Sequence, residues 1–339
     1  MKDMAFDCLS TSEMAHILVV PVPCFSMLAL GSIVELLSFA ATNFPRYAPN
    51  IRVATPGTTQ SMSASGVEIT CTNTITSYCD KFERGLRPGA VFICCGERVD
   101  DSHRKPLLRL LRACNRQSVR VFTIGAATNL LVQSGLIREG TATTHWKALA
   151  ALAEAHRDIG FEEALFLKNG NHTTCAGEAS ALDMIVDFIR EHLPQKVAQA
   201  VCAQFLISFP RQGSERQPGS ALSAAGCLPA TLKALVEGMC AHLETPKKLG
   251  ELCRTAAVSQ RQVERLFNRH LGVSPSQYYR RIRLDRARQL VEQTNLALQE
   301  VAIACGFHSL AGFSKRYQER FGLTPHAARR LVTNAAWVM

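Results

Sequence analysis

The sequence has little of what marks a secreted, metal-stapled or membrane-spanning chain. Its 13 cysteines are an odd number scattered from Cys8 to Cys305. One adjacent pair occurs, Cys94-Cys95, and there is no C-x-x-C. Paired zinc ligands and a dense disulfide framework are both excluded, so no metal or cofactor is expected and a reducing cytoplasm is the expected location. The longest uncharged stretch, Ile17 to Val34, is interrupted by Pro21 and Pro23 and preceded by Asp3, Asp7 and Glu13. It reads as a buried strand running into a helix, not as a signal segment or a membrane span. Acidic residues are scarce in one region only. Residues 1–229 hold 21 basic and 20 acidic side chains, whereas residues 230–339 hold 17 and 8. Nearly all of the net charge of +10 therefore lies in the last third, which points to a polyanionic partner there.

What is present fits two domains. A chain of 339 residues with 47% hydrophobic composition can bury more than one core. The run His16 to Val22 is a continuous apolar strand, and Ala90 to Cys94 and Val119 to Ile124 read as further core strands, each followed by a glycine. Such runs suit strands buried on both faces of a parallel sheet. Helical spacing follows the first run from Met27 to Ala41 and returns at Glu178 to His192 and Val197 to Phe205. The expected fold is an α/β domain of flavodoxin-like type over residues 15–207, with a parallel sheet covered by helices on both faces. Residues 208–229, with two Pro and two Gly in the stretch from Phe209 to Ser220, read as a linker. Residues 230–332 read as all-α.

An internal repeat organises that last third. At an offset of 50 residues, Ser259 falls on Ser309, Val263 on Phe313, Phe267 on Tyr317, Gly272 on Gly322 and Pro275 on Pro325. Ser259 with Gln262 has capping-box spacing, Ser274-Pro275 and Thr324-Pro325 place a hydroxyl before a first-turn proline, and Gly272 and Gly322 stand where a left-handed C-cap is wanted. Each unit is a short helix, a tight turn and a second helix, the spacing of a helix-turn-helix. Between the units a helix from Ser276 to Thr294 carries Arg280, Arg281, Arg283, Arg286 and Arg288, read in part as phosphate neutralisers.

The motifs Ile303-Ala-Cys-Gly-Phe307, Phe313-Ser-Lys-Arg-Tyr317 and Phe321-Gly-Leu-Thr-Pro325 make residues 230–331 resemble the DNA-binding region of AraC/XylS-family transcriptional regulators. The resemblance implies binding to double-stranded promoter DNA, usually with activation and contact with RNA polymerase. In the first recognition helix Val263, Leu266 and Phe267 face inward, leaving Gln260, Arg261, Glu264, Arg265 and Arg269 for DNA. In the second, the outward set is His308, Ser309, Leu310, Ala311, Lys315 and Arg316. The second set is poor in groups that hydrogen-bond base edges, so the first head is expected to carry most of the specificity.

From Ile17 to Leu206 the chain is similar to the class I glutamine amidotransferase-like, PfpI-type domain of GlxA-type regulators. Its carriers are the first strand, Glu35, Val91-Phe-Ile-Cys-Cys-Gly96, Ser134-Gly-Leu136, Thr143-Thr-His-Trp146 and Thr174-Cys-Ala-Gly177 with Ala181-Leu-Asp183. Enzymes of this fold carry a nucleophilic cysteine at a strand-to-helix turn. The matching position here is Gly125, so no catalytic residue is assigned. The resemblance implies a small-molecule effector, of the nitrogenous metabolite class, at a crevice formed by Glu35, Gly125, Ala126, His145 and Trp146. A homodimer is also expected, and no membrane partner. The alternative is an amidotransferase- or hydrolase-fold enzyme with an appended DNA-binding domain. Asp183 reads as a hydrogen-bonded structural acid, and His172 as a residue of an exposed hairpin near Asn169 to Asn171.

Overall fold

The computed structural model describes residues 16–84, 87–96, 99–218 and 228–335. They fall into two compact units that divide between Arg216 and Gln217.

In the first unit β1 (His16–Pro21) leads into α1 (Met27–Asn43) and β2 (Asn50–Thr55), then a small hairpin of β3 (Gln60–Met62) and β4 (Glu68–Thr70). The chain continues through β5 (Asn73–Thr74), α2 (Ile75–Glu83), β6 (Ala90–Cys94), α3 (Asp101–Arg116), β7 (Arg120–Ile124) and α4 (Ala127–Gln133). After β8 (Thr141–Ala142), α5 (Trp146–Ala155) and β9 (Gly160–Phe161) come β10 (Phe166–Asn169), β11 (His172–Cys175), α6 (Ser180–His192) and α7 (Gln195–Gln204). The main sheet has seven strands in the order β10-β11-β7-β6-β1-β2-β5. The apolar runs are continuous because the pleat deals their residues alternately to two cores. Ala90, Phe92 and Cys94 join Ile17, Val19 and Phe122 in the core beneath α1 and α6. Val91, Ile93 and Cys95 join Leu18, Val20 and Val121 in the core beneath α2, α3 and α4.

Two details depart from the sequence reading. The sheet is not wholly parallel, because β10 pairs antiparallel with β11 as an edge hairpin. That hairpin turns at Gly170-Asn171 as expected, but His172 is buried on β11 and its Nδ1 has no hydrogen-bond partner among the described residues. Burial holds the imidazole below its usual pKa.

The expected linker also begins later than residue 208. The Arg211 amide donates to Asp183 at 2.8 Å, and its guanidinium reaches the same carboxylate at 2.9 and 2.6 Å. Leu165 and Phe166 donate to the carbonyls of Glu215 and Gly213, and Ala164 bridges Arg216. The stretch after α7 therefore runs along the free side of the hairpin, where an edge otherwise leaves unpaired backbone groups. Asp183, 5% exposed in its side chain, needs this partner because a buried carboxylate is costly alone.

The second unit contains α8 (Ala230–Cys240), α9 (Leu249–Thr255), α10 (Gln260–Leu271), α11 (Pro275–Gln293), α12 (Leu298–Ala304), α13 (Leu310–Phe321) and α14 (Pro325–Ala335). Every cap expected from the repeat is made. Ser259 and Ser274 form capping boxes with Gln262 and Gln277, Ser309 accepts from Gly312, and Thr324 accepts from Ala327. Gly272 and Gly322 close α10 and α13 at φ of 66° and 76°. Two separate cores result. Leu235, Leu252, Val263 and Phe267 pack on Tyr279 and Ile282 of α11. Val301, Phe313 and Tyr317 pack on Leu284, Ala287, Leu290 and Val291 of the same helix. Among the described residues no helix is long and apolar enough to cross a membrane.

Replacing Arg211 by Ala leaves the Asp183 carboxylate buried without its cation. The expected result is a loss of at least about 2 kcal/mol of unfolding free energy for the first unit in urea titrations, largely recovered by pairing it with Asp183→Asn.

Candidate DNA interface and effector crevice

The first recognition helix, α10, turns Val263 and Phe267 inward at complete burial. Gln260, Arg261, Glu264, Arg265 and Arg269 are all exposed. Arg261 and Arg265 lie four residues apart, so their guanidiniums project from one side of the helix. Neither they nor Glu264 and Arg269 make an ion pair among the described residues, so the acid does not neutralise its neighbours. Gln262, also exposed, spends its amide on the Ser259 cap at 3.0 Å.

On the second head, α13, the expected residues His308, Ser309, Leu310, Lys315 and Arg316 are exposed as well. Two of them have other work. Ser309 caps its helix through Gly312, and Arg316 pairs with Glu319 at 2.9 Å. That leaves Lys315 as a charge without a partner among the described residues, with Leu310 as an apolar contact 41% exposed.

The arginines of α11 separate into two kinds, in keeping with a role as phosphate neutralisers for only part of the set. Arg283 donates to the carbonyls of Cys305, at 2.8 Å, and Gly306. Its guanidinium also lies over the Phe307 ring, 4.4 Å from the centroid. It therefore binds the turn between α12 and α13 to the connecting helix. Arg288 pairs with Glu292 at 2.7 Å and lies over Phe321. Arg320 grips Asp285 of α11 through both carboxylate oxygens at 2.7 and 2.8 Å. Arg280 and Arg281 are exposed and make no ion pair among the described residues.

In the first unit the turns at the C-terminal ends of β1, β6, β7 and β11 meet where the strand order reverses, the usual crevice of an open α/β sheet. Gly125 follows β7 with φ of 66°. A Cβ there would stand 2.3 Å from the Cys95 carbonyl oxygen, and one on Gly96 would stand 1.9 Å from the Cys24 carbonyl oxygen. The backbone turns are stacked too closely for a side chain at either position. The Thr144 hydroxyl donates to the Gly125 carbonyl at 3.0 Å, so the residue immediately before His145 and Trp146 is tied to the elbow. His145 caps α5, and its ring lies 5.5 Å from the indole. Gly125 and Ala126 thus form the elbow itself, and His145 and Trp146 follow directly on Thr144, the residue tied to it. Glu35 is not among them: it is exposed and lies eight residues into α1, about 12 Å down the helix from its start at the crevice.

The elbow's chemistry is that of a closed turn. In hydrolases with a nucleophile elbow, the amide after the nucleophile stabilises the oxyanion. Here the Ala126 amide donates to the Gly96 carbonyl at 3.1 Å. The nearby thiols are buried, and desolvation pushes Cys95 up to about 12 and Cys175 up to about 11, which keeps them protonated and poor nucleophiles at neutral pH. Residues missed by sequence reading complete the crevice. Cys24 is exposed at φ of 66°, and Ser26 donates to Glu178 at 2.7 Å. Only the tertiary approach of distant turns reveals them.

Gly125→Ala must displace backbone and is expected to lower stability by more than about 1 kcal/mol in chemical denaturation. Thiol-labelling mass spectrometry on the native chain is expected to modify Cys24 well before Cys94, Cys95 and Cys175. Arg283→Ala is expected to lower the second unit's Tm, whereas Arg280→Ala leaves Tm unchanged and makes the salt dependence of DNA binding shallower by about 0.9.

Residues 35–191 match the DJ-1/PfpI family, and residues 252–331 match the helix-turn-helix domain. The HTH-type transcriptional regulator CdhR of Pseudomonas aeruginosa is 32% identical over 273 residues, covering 80% of this chain and 81% of that protein. The HTH-type transcriptional regulator GlxA of Rhizobium meliloti is 31% identical over 305 residues, covering 87% and 92%. The HTH-type transcriptional regulator GbdR of Pseudomonas aeruginosa is 34% identical over 240 residues, covering 71% and 65%. With both domains matched in order and relatives aligned over most of their length, the chain belongs to the HTH-type transcriptional regulators that join a DJ-1/PfpI domain to an AraC-type helix-turn-helix region.

Proposed function

We propose that this transcription regulator is controlled by a small metabolite bound, not turned over, in the crevice of its first domain. The carrying observation is the elbow itself. Gly125 supplies no nucleophile, the adjacent backbone admits no Cβ, and the amide that would stabilise an oxyanion is already bonded to Gly96. In this reading the adjacent rings of His145 and Trp146, 5.5 Å apart and half-buried, are the aromatic pair that meets a cationic or amide nitrogen. Ala126 of the elbow, partly exposed, is assigned to the same site. In this reading the protein works in the cytoplasm as a homodimer that activates transcription by contact with RNA polymerase.

Effector binding to the folded chain alone stabilises it by about 2.7 kcal/mol at a hundredfold excess over Kd. A thermal-shift screen of the full chain against nitrogenous metabolites is therefore expected to find a stabilising ligand whose effect Trp146→Ala removes. Turnover of an amide, peptide or isonitrile by the purified chain would instead establish the enzymatic reading.

Base reading falls mainly to the first head, supported by the exposure of Arg261 and Arg265 without ion pairs among the described residues and by the commitment of Ser309 and Arg316 to their own helix. Arg261→Ala is expected to cost about 1 to 3 kcal/mol of discrimination between its selected site and a scrambled one. Lys315→Ala should weaken both complexes alike. Equal losses of specificity in competition binding would contradict this division.

A further inference from the structure

The first unit is almost electrically neutral, with 21 basic and 20 acidic residues up to position 229, yet its charges are not evenly spread. On α3, Lys105, Arg109, Arg112 and Arg116 are all exposed. Their 4-3-4 spacing puts them on one face. The opposite face, Leu107, Leu110, Leu111 and Cys114, is buried in the core. The row runs about 16 Å along the helix axis, from a rise of 1.5 Å per residue.

The side chains of Lys105, Arg112 and Arg116 have no ion pair or hydrogen bond among the described residues, and Arg109 meets the half-exposed Asp80 of α2 at 3.2 Å. The acids of α3 and its cap are confined to the N-terminal end. Asp101 pairs with Arg104 and Asp100 caps the helix. A solvated helix face ordinarily alternates charge signs so that neighbours one turn apart attract. Here each cation is followed one turn later by another, which disfavours the isolated helix. The packing of α3 does not require these charges, because its buried face is complete without them.

We propose that the α3 row is a second, sequence-independent DNA contact that tracks the phosphate backbone beside the site read by the helix-turn-helix domain. Its partner is duplex DNA because the chain's own second domain brings that polyanion to it, and covalent attachment raises the local concentration at which even a weak contact forms. A phosphate occurs about every 3.4 Å of axis on each strand of the duplex, so a row of about 16 Å is long enough to meet several. The inference rests on DNA binding by the second domain.

The test uses the full chain and a variant carrying Lys105→Gln, Arg109→Gln, Arg112→Gln and Arg116→Gln, with Arg112→Glu as a single-site companion. Glutamine retains helix propensity, and an unchanged Tm and circular dichroism spectrum establish that the fold is intact. Affinity is measured against salt on two duplexes holding the same selected site. One is trimmed to the helix-turn-helix footprint and the other is extended on both sides. The expected result is a shallower salt dependence of the quadruple variant on the extended duplex, by about 0.9 for each phosphate that the variant leaves unneutralised, and no difference from wild type on the trimmed one. Arg112→Glu should show a smaller change in the same direction. Superimposable salt plots on both duplexes would overturn the proposal. The same superposition with loss of promoter output in reconstituted transcription would overturn it in favour of an acidic protein partner. Failure of the wild-type chain to bind the trimmed duplex would be a failure of site reading by the second domain, a different result from failure of the row.

Discussion

The DNA-binding half depends on a single helix serving two cores at once. Helix α11 gives Tyr279 and Ile282 to the first core and Leu284, Ala287, Leu290 and Val291 to the second. Arg283 stands between these sets and fastens the turn of the second helix-turn-helix through two carbonyls and the Phe307 ring. The Arg320–Asp285 pair ties α13 to the same helix. Neither head can rotate about α11 without breaking one of these attachments. The 19-residue helix is about 28 Å long, close to the roughly 34 Å that separates successive major-groove faces.

The first domain uses close packing of backbone to a different end. Where an enzyme of comparable architecture would display a reactive side chain, the turns after β1, β6 and β7 lie against one another, and glycine is the residue that fits at positions 96 and 125. Binding can survive such a change because it needs only a surface of fitting shape and polarity. Catalysis needs a nucleophile and a prepared oxyanion donor. The clasp of Arg211 on Asp183 carries the chain across the sheet edge before it leaves for the second domain.

Periodic and capping signals make much of this architecture legible. The offset of 50 residues locates both helix-turn-helix units, and their serine, proline and glycine positions forecast caps that the structure makes. The apolar runs forecast the central strands because burial on both faces leaves no polar alternation. What stays hidden is set by long-range partners. Arg280 and Arg283 look alike on one helix, but only the latter meets two carbonyls supplied from residues 305 and 306. The stretch from Arg211 to Arg216 has the composition of a linker, yet it is held by a carboxylate 28 positions away. His172 lies in the expected hairpin but is buried rather than exposed, since a turn sequence specifies the reversal and not what packs against the strand. Glu35 resembles a crevice residue by chain order, but the rise of the helix carries it away from the elbow.

In the proposed division of labour, two unequal reading heads, fixed on one helix, determine where this regulator binds. Selection of binding sites by the full chain from a random duplex library tests it most directly. The expected result is two half-sites with centres about 10 to 10.5 base pairs apart, one strongly specified at guanine positions and the other weakly specified with tolerance at most positions. Two equally specified half-sites, or a spacing away from one helical turn, would contradict it.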